Sequence, residues 1–252
     1  MARGGEGEKI TLDEEADPSR IAENGSWSKG AFLPLIMKKL LFQLENEPGS
    51  ALTHLMGLLL AIAGLVLLVV FAKLHGTVWH IVGFSIFGTS LILLYLASML
   101  YHFFPITSRA KKVLQRVDHA MIYVLIAGTY TPICLVTLRG GWGWSLFGVI
   151  WGLAIAGIIW KLNGTMNPKV STVFYVAMGW LALVAFFPLK QALSSAALGW
   201  LFGGGIFYTL GAVIFGFDDY FVHRWFGIHE LWHLFVMAGS FCHFWLMFQY
   251  VL

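Results

Sequence analysis

Gly57–Ala72 reads GLLLAIAGLVLLVVFA, sixteen consecutive residues without a polar side chain. With its flanks the apolar stretch covers 50–72, and about 20 apolar residues suffice to cross the hydrocarbon of a bilayer as a helix. A barrel strand would instead alternate polar and apolar residues over a shorter segment. A helix also satisfies its own backbone inside lipid, where no water can. Working outward, six further spans of this kind follow, at 77–101, 118–138, 142–160, 170–189, 192–217 and 228–252. The sequence therefore predicts an all-α integral membrane protein, a bundle of seven transmembrane helices occupying 50–252. Only 12% of its residues are charged, about half the share of a soluble domain, and the mean hydropathy of +0.76 agrees.

The few charges are unevenly placed. Residues 1–30 hold seven acids against four bases, with Gly and Ser between them, and read as a disordered acidic tail. Residues 31–49 read as a juxtamembrane segment, with Phe32–Phe42 suited either to lying on the membrane surface or to tethering. The bases are scattered singly or beside apolar spans, so nucleic acid is not an expected partner and membrane lipid is. Cys134 and Cys242 both fall inside apolar spans, so no disulfide framework is implied. With the N-terminus in the cytoplasm, nine bases lie inside (Lys38, Lys39, Arg109, Lys111, Lys112, Arg116, Lys161, Lys169 and Arg224) and three outside (Lys73, Arg139 and Lys190). The positive-inside bias predicts N-in and C-out.

That orientation gathers polar residues at one depth. His102 closes the second span with Ser98 one turn deeper, Asp118 opens the third, and His229 and His233 lie in the first turns of the seventh. At about 1.5 Å of rise per residue all five fall within roughly 10 Å of one membrane level. Ionisable residues at such depth are costly and mark function. His229 and His233, four apart, share a helix face and can chelate a metal; His102 would make three protein ligands, the open zinc arrangement that leaves a position for water. Asp118 would then serve as partner or general base for that water, with Ser98 able to bond the same group. The HxxxH spacing alone is a weak signal and more often marks interfacial histidines near headgroups. HExxH also invites a protease reading with Glu230 as base, but no separate catalytic domain is present, and Glu230 can point at the interface or at Arg224.

Several motifs in order carry a resemblance. Ser98-Met-Leu-Tyr-His102, Asp118-His-Ala-Met-Ile-Tyr, Ala127-Gly-Thr-Tyr-Thr-Pro132, His229-Glu-Leu-Trp-His233 and Gly239-Ser-Phe-Cys-His243, with Thr53-His54-Leu-Met-Gly57 in the first span, resemble the hemolysin III branch of the progestin and adipoQ receptor superfamily. The resemblance runs from about residue 45 to the C-terminus. It implies a seven-helix, N-in fold in the bacterial cytoplasmic membrane with a zinc ion near the cytoplasmic side. His102, His229 and His233 match the zinc ligands, Asp118 the residue bonded to the zinc water, and Ser98 the nearby serine. Ceramidase-like activity in some relatives implies a zinc-dependent hydrolase of a lipid amide or ester. The family name implies the alternative, a pore-forming, cytolytic or receptor-like protein whose zinc is structural.

Other residues carry blander expectations. His54 lies near the inner end of the first span, in reach of a supporting role. His119 follows Asp118 by about 100° of helix and is expected to face elsewhere. His243 lies about 15 Å beyond His233, too deep to share its metal, and is expected to pair with Cys242. Gly128 and Pro132 are expected to bend the third span, Gly203-Gly-Gly205 to allow close helix packing, and His75 and His80 to be interfacial.

Overall fold

A computed structural model describes residues 48–104, 109–216 and 227–252, all helical or in short connections between helices. The acidic tail, most of the juxtamembrane segment and Arg224 lie outside the described residues. Helices α1 (Pro48–His75) and α2 (Val78–Phe103) form the first two spans. The third is α3 (Arg109–Pro132), continued by a π-helical turn at Ile133–Thr137. Next comes α4 (Gly141–Leu162). The fifth span is assembled from α5 (Pro168–Gly179), a 3-10 segment (Trp180–Ala185) and α6 (Phe186–Ala192). Helices α7 (Ser195–Phe215) and α8 (Ile228–Leu246), with a terminal π turn at Met247–Val251, complete seven helical spans long and apolar enough to cross a membrane. The protein is a multi-pass integral membrane protein.

Two boundaries differ from the hydropathy reading. Helix α3 begins at Arg109, so Asp118 stands nine residues inside it rather than opening it. The extra turns, Arg109–Val117, are basic and amphipathic and extend the helix out of the apolar layer without ending its hydrogen-bond ladder. Pro132 is the last residue of α3. Its missing N–H leaves a carbonyl of the preceding turn free, and the chain widens immediately afterwards into the five-residue π turn.

The break in the fifth span is repaired from outside it. Backbone groups at membrane depth need partners, and the Tyr130 hydroxyl of α3 provides them. It lies 2.7 Å from the Gly179 carbonyl and 3.1 Å from that of Met178. It also accepts the Ala182 N–H at 2.7 Å. One buried tyrosine thus holds two irregular spans together.

Helices α1, α2, α3 and α4 pack on one another in sequence, α7 packs on α8, and α1 touches α8, so the first and last spans are neighbours. Lipid tails are as apolar as the side chains, so close backbone approach decides which faces meet. At Gly57 on α1 a methyl group would come within 2.8 Å of the Tyr95 ring of α2. Of Gly203-Gly-Gly205 only the middle residue is used this way: a side chain on Gly204 would strike the His243 ring, while Gly203 has open space around it.

Candidate metal centre

Alternation of the spans brings the start of α1, the end of α2, the end of α4 and the start of α8 to one side of the bundle. There His102, His229 and His233 each offer a ring nitrogen, and the three candidate ligand atoms lie within 4.8 Å of one another. The Nε2 atoms of His102 and His229 are 3.3 Å apart. With metal–nitrogen bonds of about 2.0–2.1 Å, the edge of a tetrahedron is about 3.3–3.4 Å. The spacing fits two corners of such a site. The rings stand nearly edge-to-face, His102 at 65° to His229 and at 69° to His233, and are not stacked on one another. Three buried or half-buried imidazoles so arranged can hold a metal ion.

The rest of the layer comes from α2, α3 and α1. Ser98 and Asp118 are both buried, and the Ser98 hydroxyl hydrogen-bonds the Asp118 carboxylate. Asp118 is also close enough to His229 and Lys161 for direct electrostatic interaction.

The contribution of α1 was not anticipated in full. Thr53 Oγ1 donates its single proton to the Ser50 carbonyl at 2.9 Å and lies 3.1 Å from His233 Nδ1. With that proton committed, the oxygen can only accept from the imidazole, so His233 carries its hydrogen on Nδ1 and keeps the Nε2 lone pair free. The His54 ring lies flat on His233, with centroids 3.5 Å apart and planes 16° from parallel. It meets the Tyr95 ring edge-on at 5.2 Å, the ring that Gly57 admits. Both nitrogens of His54 are buried without a hydrogen-bond partner among the described residues, and His54 is not one of the three grouped histidines.

Glu230 is not poised as a base. It is buried, its Oε1 accepts from Ser50 Oγ at 2.7 Å, and its Oε2 accepts from the Gly227 N–H at 2.7 Å. Both oxygens are occupied capping α8 and tying it to α1. Arg224, the partner expected from the sequence, lies outside the described residues.

A cavity of about 540 Å³ runs from this layer between the helices, with Ser98, Asp118, His229 and His233 in its wall. Its far wall is apolar, including Ile133, Leu146, Leu189 and Leu201. His119 also lines it, contrary to the expectation that it faces away. His243 lies in the wall too, stacked on Tyr208 at 5.6 Å and not paired with Cys242. His80 caps its own helix through Thr77 and contacts the Val251 carbonyl at 3.0 Å.

Comparison with known proteins now decides the family. Residues 42–244 match the family described as Haemolysin-III related. The chain belongs to that family. It is 42% identical over 202 residues to a protein named Hemolysin-3 homolog from Bacillus subtilis (strain 168), covering 79% of this chain and 92% of the relative. It is 41% identical over 209 residues to one named Hemolysin-3 from Bacillus cereus, covering 82% and 93%. The matched region of this haemolysin III-related chain contains every residue of the three-histidine layer.

Proposed function

We propose that this haemolysin III-related protein is a zinc-dependent hydrolase of a lipid amide or ester, working near the cytoplasmic face. One observation carries the reading. Two of the three clustered imidazoles, His229 and His233, line a cavity with Asp118 in the same wall, and that cavity continues into an apolar region lined by Ile133, Leu146, Leu189 and Leu201. The group closes at three histidines among the described residues, whereas structural zinc is usually closed by a fourth side chain. Zinc, when bound, supplies Lewis acidity toward a carbonyl and makes water acidic enough to react near neutral pH. Asp118 takes the proton of the attacking water, and Ser98 orients the carboxylate that receives it. The apolar length of the cavity suits an acyl chain and excludes bulk water from the reacting end. The nine-to-three bias of basic residues supports a site open to the cytoplasm.

The names of both relatives favour a second reading, cytolysis through pore formation, with zinc holding the helices. The two part in one experiment on protein purified into liposomes. Release of fatty acid from amide or ester lipids, without leakage of an entrapped dye, is the expected result. Dye leakage without release would discard the hydrolase.

Thr53 gives a test of the site's organisation. Thr53→Val keeps the shape of the side chain but removes the acceptor that fixes the His233 tautomer. Partners of this kind command about ten- to a hundred-fold in metal affinity. Chelator competition should show a loss of that size in Thr53→Val and near-normal affinity in Thr53→Ser. Equal affinities in all three proteins would leave Thr53 as packing only.

A further inference from the structure

Lys161 ends α4, the place where a lysine ordinarily lets its ammonium rise to the lipid headgroups. Here it does not. Its neighbours Trp160 and Leu162 are 45% and 44% exposed, while Lys161 is 7% exposed. It continues the inward stripe Ile150, Ala154 and Gly157, and so enters the bundle on the buried face of α4. There it lines the same cavity as His229, His233 and Asp118.

The charges of that wall do not balance once a metal is present. Asp118 and Lys161 are the cavity's charged side chains among the described residues, and histidines that ligate a metal are neutral. One carboxylate then faces a dication and an ammonium. The Lys161 ammonium senses Asp118 electrostatically but forms no hydrogen bond or ion pair with a described residue. A cation on a side chain only 7% exposed, in the wall of a cavity, is stabilised by an anion bound there. His119 and Ser171, which line the cavity alongside it, add no negative charge.

We infer that Lys161 is an anion-binding residue of the cavity, and that the preferred ligand is a single-chain amphiphile bearing a carboxylate or phosphate near its acyl amide or ester. This rests on the hydrolase reading for the position of the acyl bond, but the anion subsite itself is tested without turnover. The chemistry fits two sources, an N-acyl amino acid and a lysophospholipid acid.

The experiment measures binding by calorimetry to the full chain in maltoside detergent, zinc-loaded and chelated. The probes are N-lauroylglycine, lauroyl lysophosphatidic acid and the neutral N-lauroylethanolamine. An anionic probe is expected to bind about ten- to a hundred-fold more tightly than the neutral one, the scale of a hydrogen bond to a charged group. The preference should vanish in Lys161→Met, which fills the same space with an uncharged chain, and return in Lys161→Arg. Tight binding of the glycine conjugate alone assigns the carboxylate source, of the phosphate alone the phospholipid source, and of both an unselective anion site.

Equal affinities in the wild type, or a preference that survives Lys161→Met, overturns the inference. A preference that survives chelation and is lost in Lys161→Met upholds it even if no probe is ever hydrolysed, in which case the hydrolase reading falls alone. Should Lys161→Met fail to fold, Lys161→Gln carries the same comparison, and loss of the preference there is the expected result.

Discussion

His233→Ala is expected to strip most of the zinc from the purified protein. The substitution removes one of three imidazoles and with it the ring to which α1 is fitted, since Thr53 bonds its Nδ1 and His54 lies on its face. Loss of a direct ligand should exceed the about ten- to hundred-fold typical of supporting partners. Metal binding to the folded state also stabilises it, by an amount that rises with the logarithm of affinity, so the variant should melt at a lower temperature and respond far less to added zinc. The matched control is His243→Ala, a buried cavity histidine of the same helix stacked on Tyr208 and outside the three-histidine group. It should lose stability through packing but keep its metal. Zinc content by elemental analysis and melting with and without zinc read both. If His233→Ala retains metal and responds to zinc as the wild type does, the three-histidine coordination is wrong.

What the sequence disclosed and what it hid follow from the kind of information each feature needs. The spans were legible because about 20 apolar residues in a row have few other uses. His102, His229 and His233 were placed at one level by counting alternate span ends, which needs only helix rise and direction. Lateral neighbours need more. Nothing in α1 states that its Ser50–His54 edge meets α8, because the apolar pattern of a lipid-embedded helix has no solvent face to orient it. The support that Thr53 and His54 give to His233 therefore emerges only from the assembled bundle, although the Thr53-His54 pair itself is plain in the sequence. Glu230 three residues after Gly227 was a readable capping signal, masked by its position inside an HExxH pattern. His119 shows the limit of helical-wheel reasoning: an offset of about 100° from Asp118 does not carry a side chain out of a cavity wide enough to span two faces of α3. Lys161 was counted as a topological charge, and its inward position rests on the stripe that runs back through Gly157 and Ala154.

Asp118→Asn is expected to leave zinc in place and abolish most hydrolysis. Asp118 is not in the three-histidine group, and three imidazoles with one water already complete a tetrahedral ion. Its carboxylate instead stands in the cavity wall, bonded by Ser98 and within electrostatic reach of His229. Asparagine keeps the size and one acceptor oxygen, so the Ser98 contact and the packing of α3 survive. It cannot take a proton. A positioned general base contributes about a hundred- to ten-thousand-fold, and the loss of turnover should fall in that range with little change in substrate affinity. Were zinc only a clamp between α2 and α8, the same variant would keep full function as long as the helices stayed joined. Zinc content, melting temperature and fatty-acid release measured on one preparation separate these outcomes. Retained zinc with undiminished release removes Asp118 from the chemistry, and lost zinc makes it a ligand.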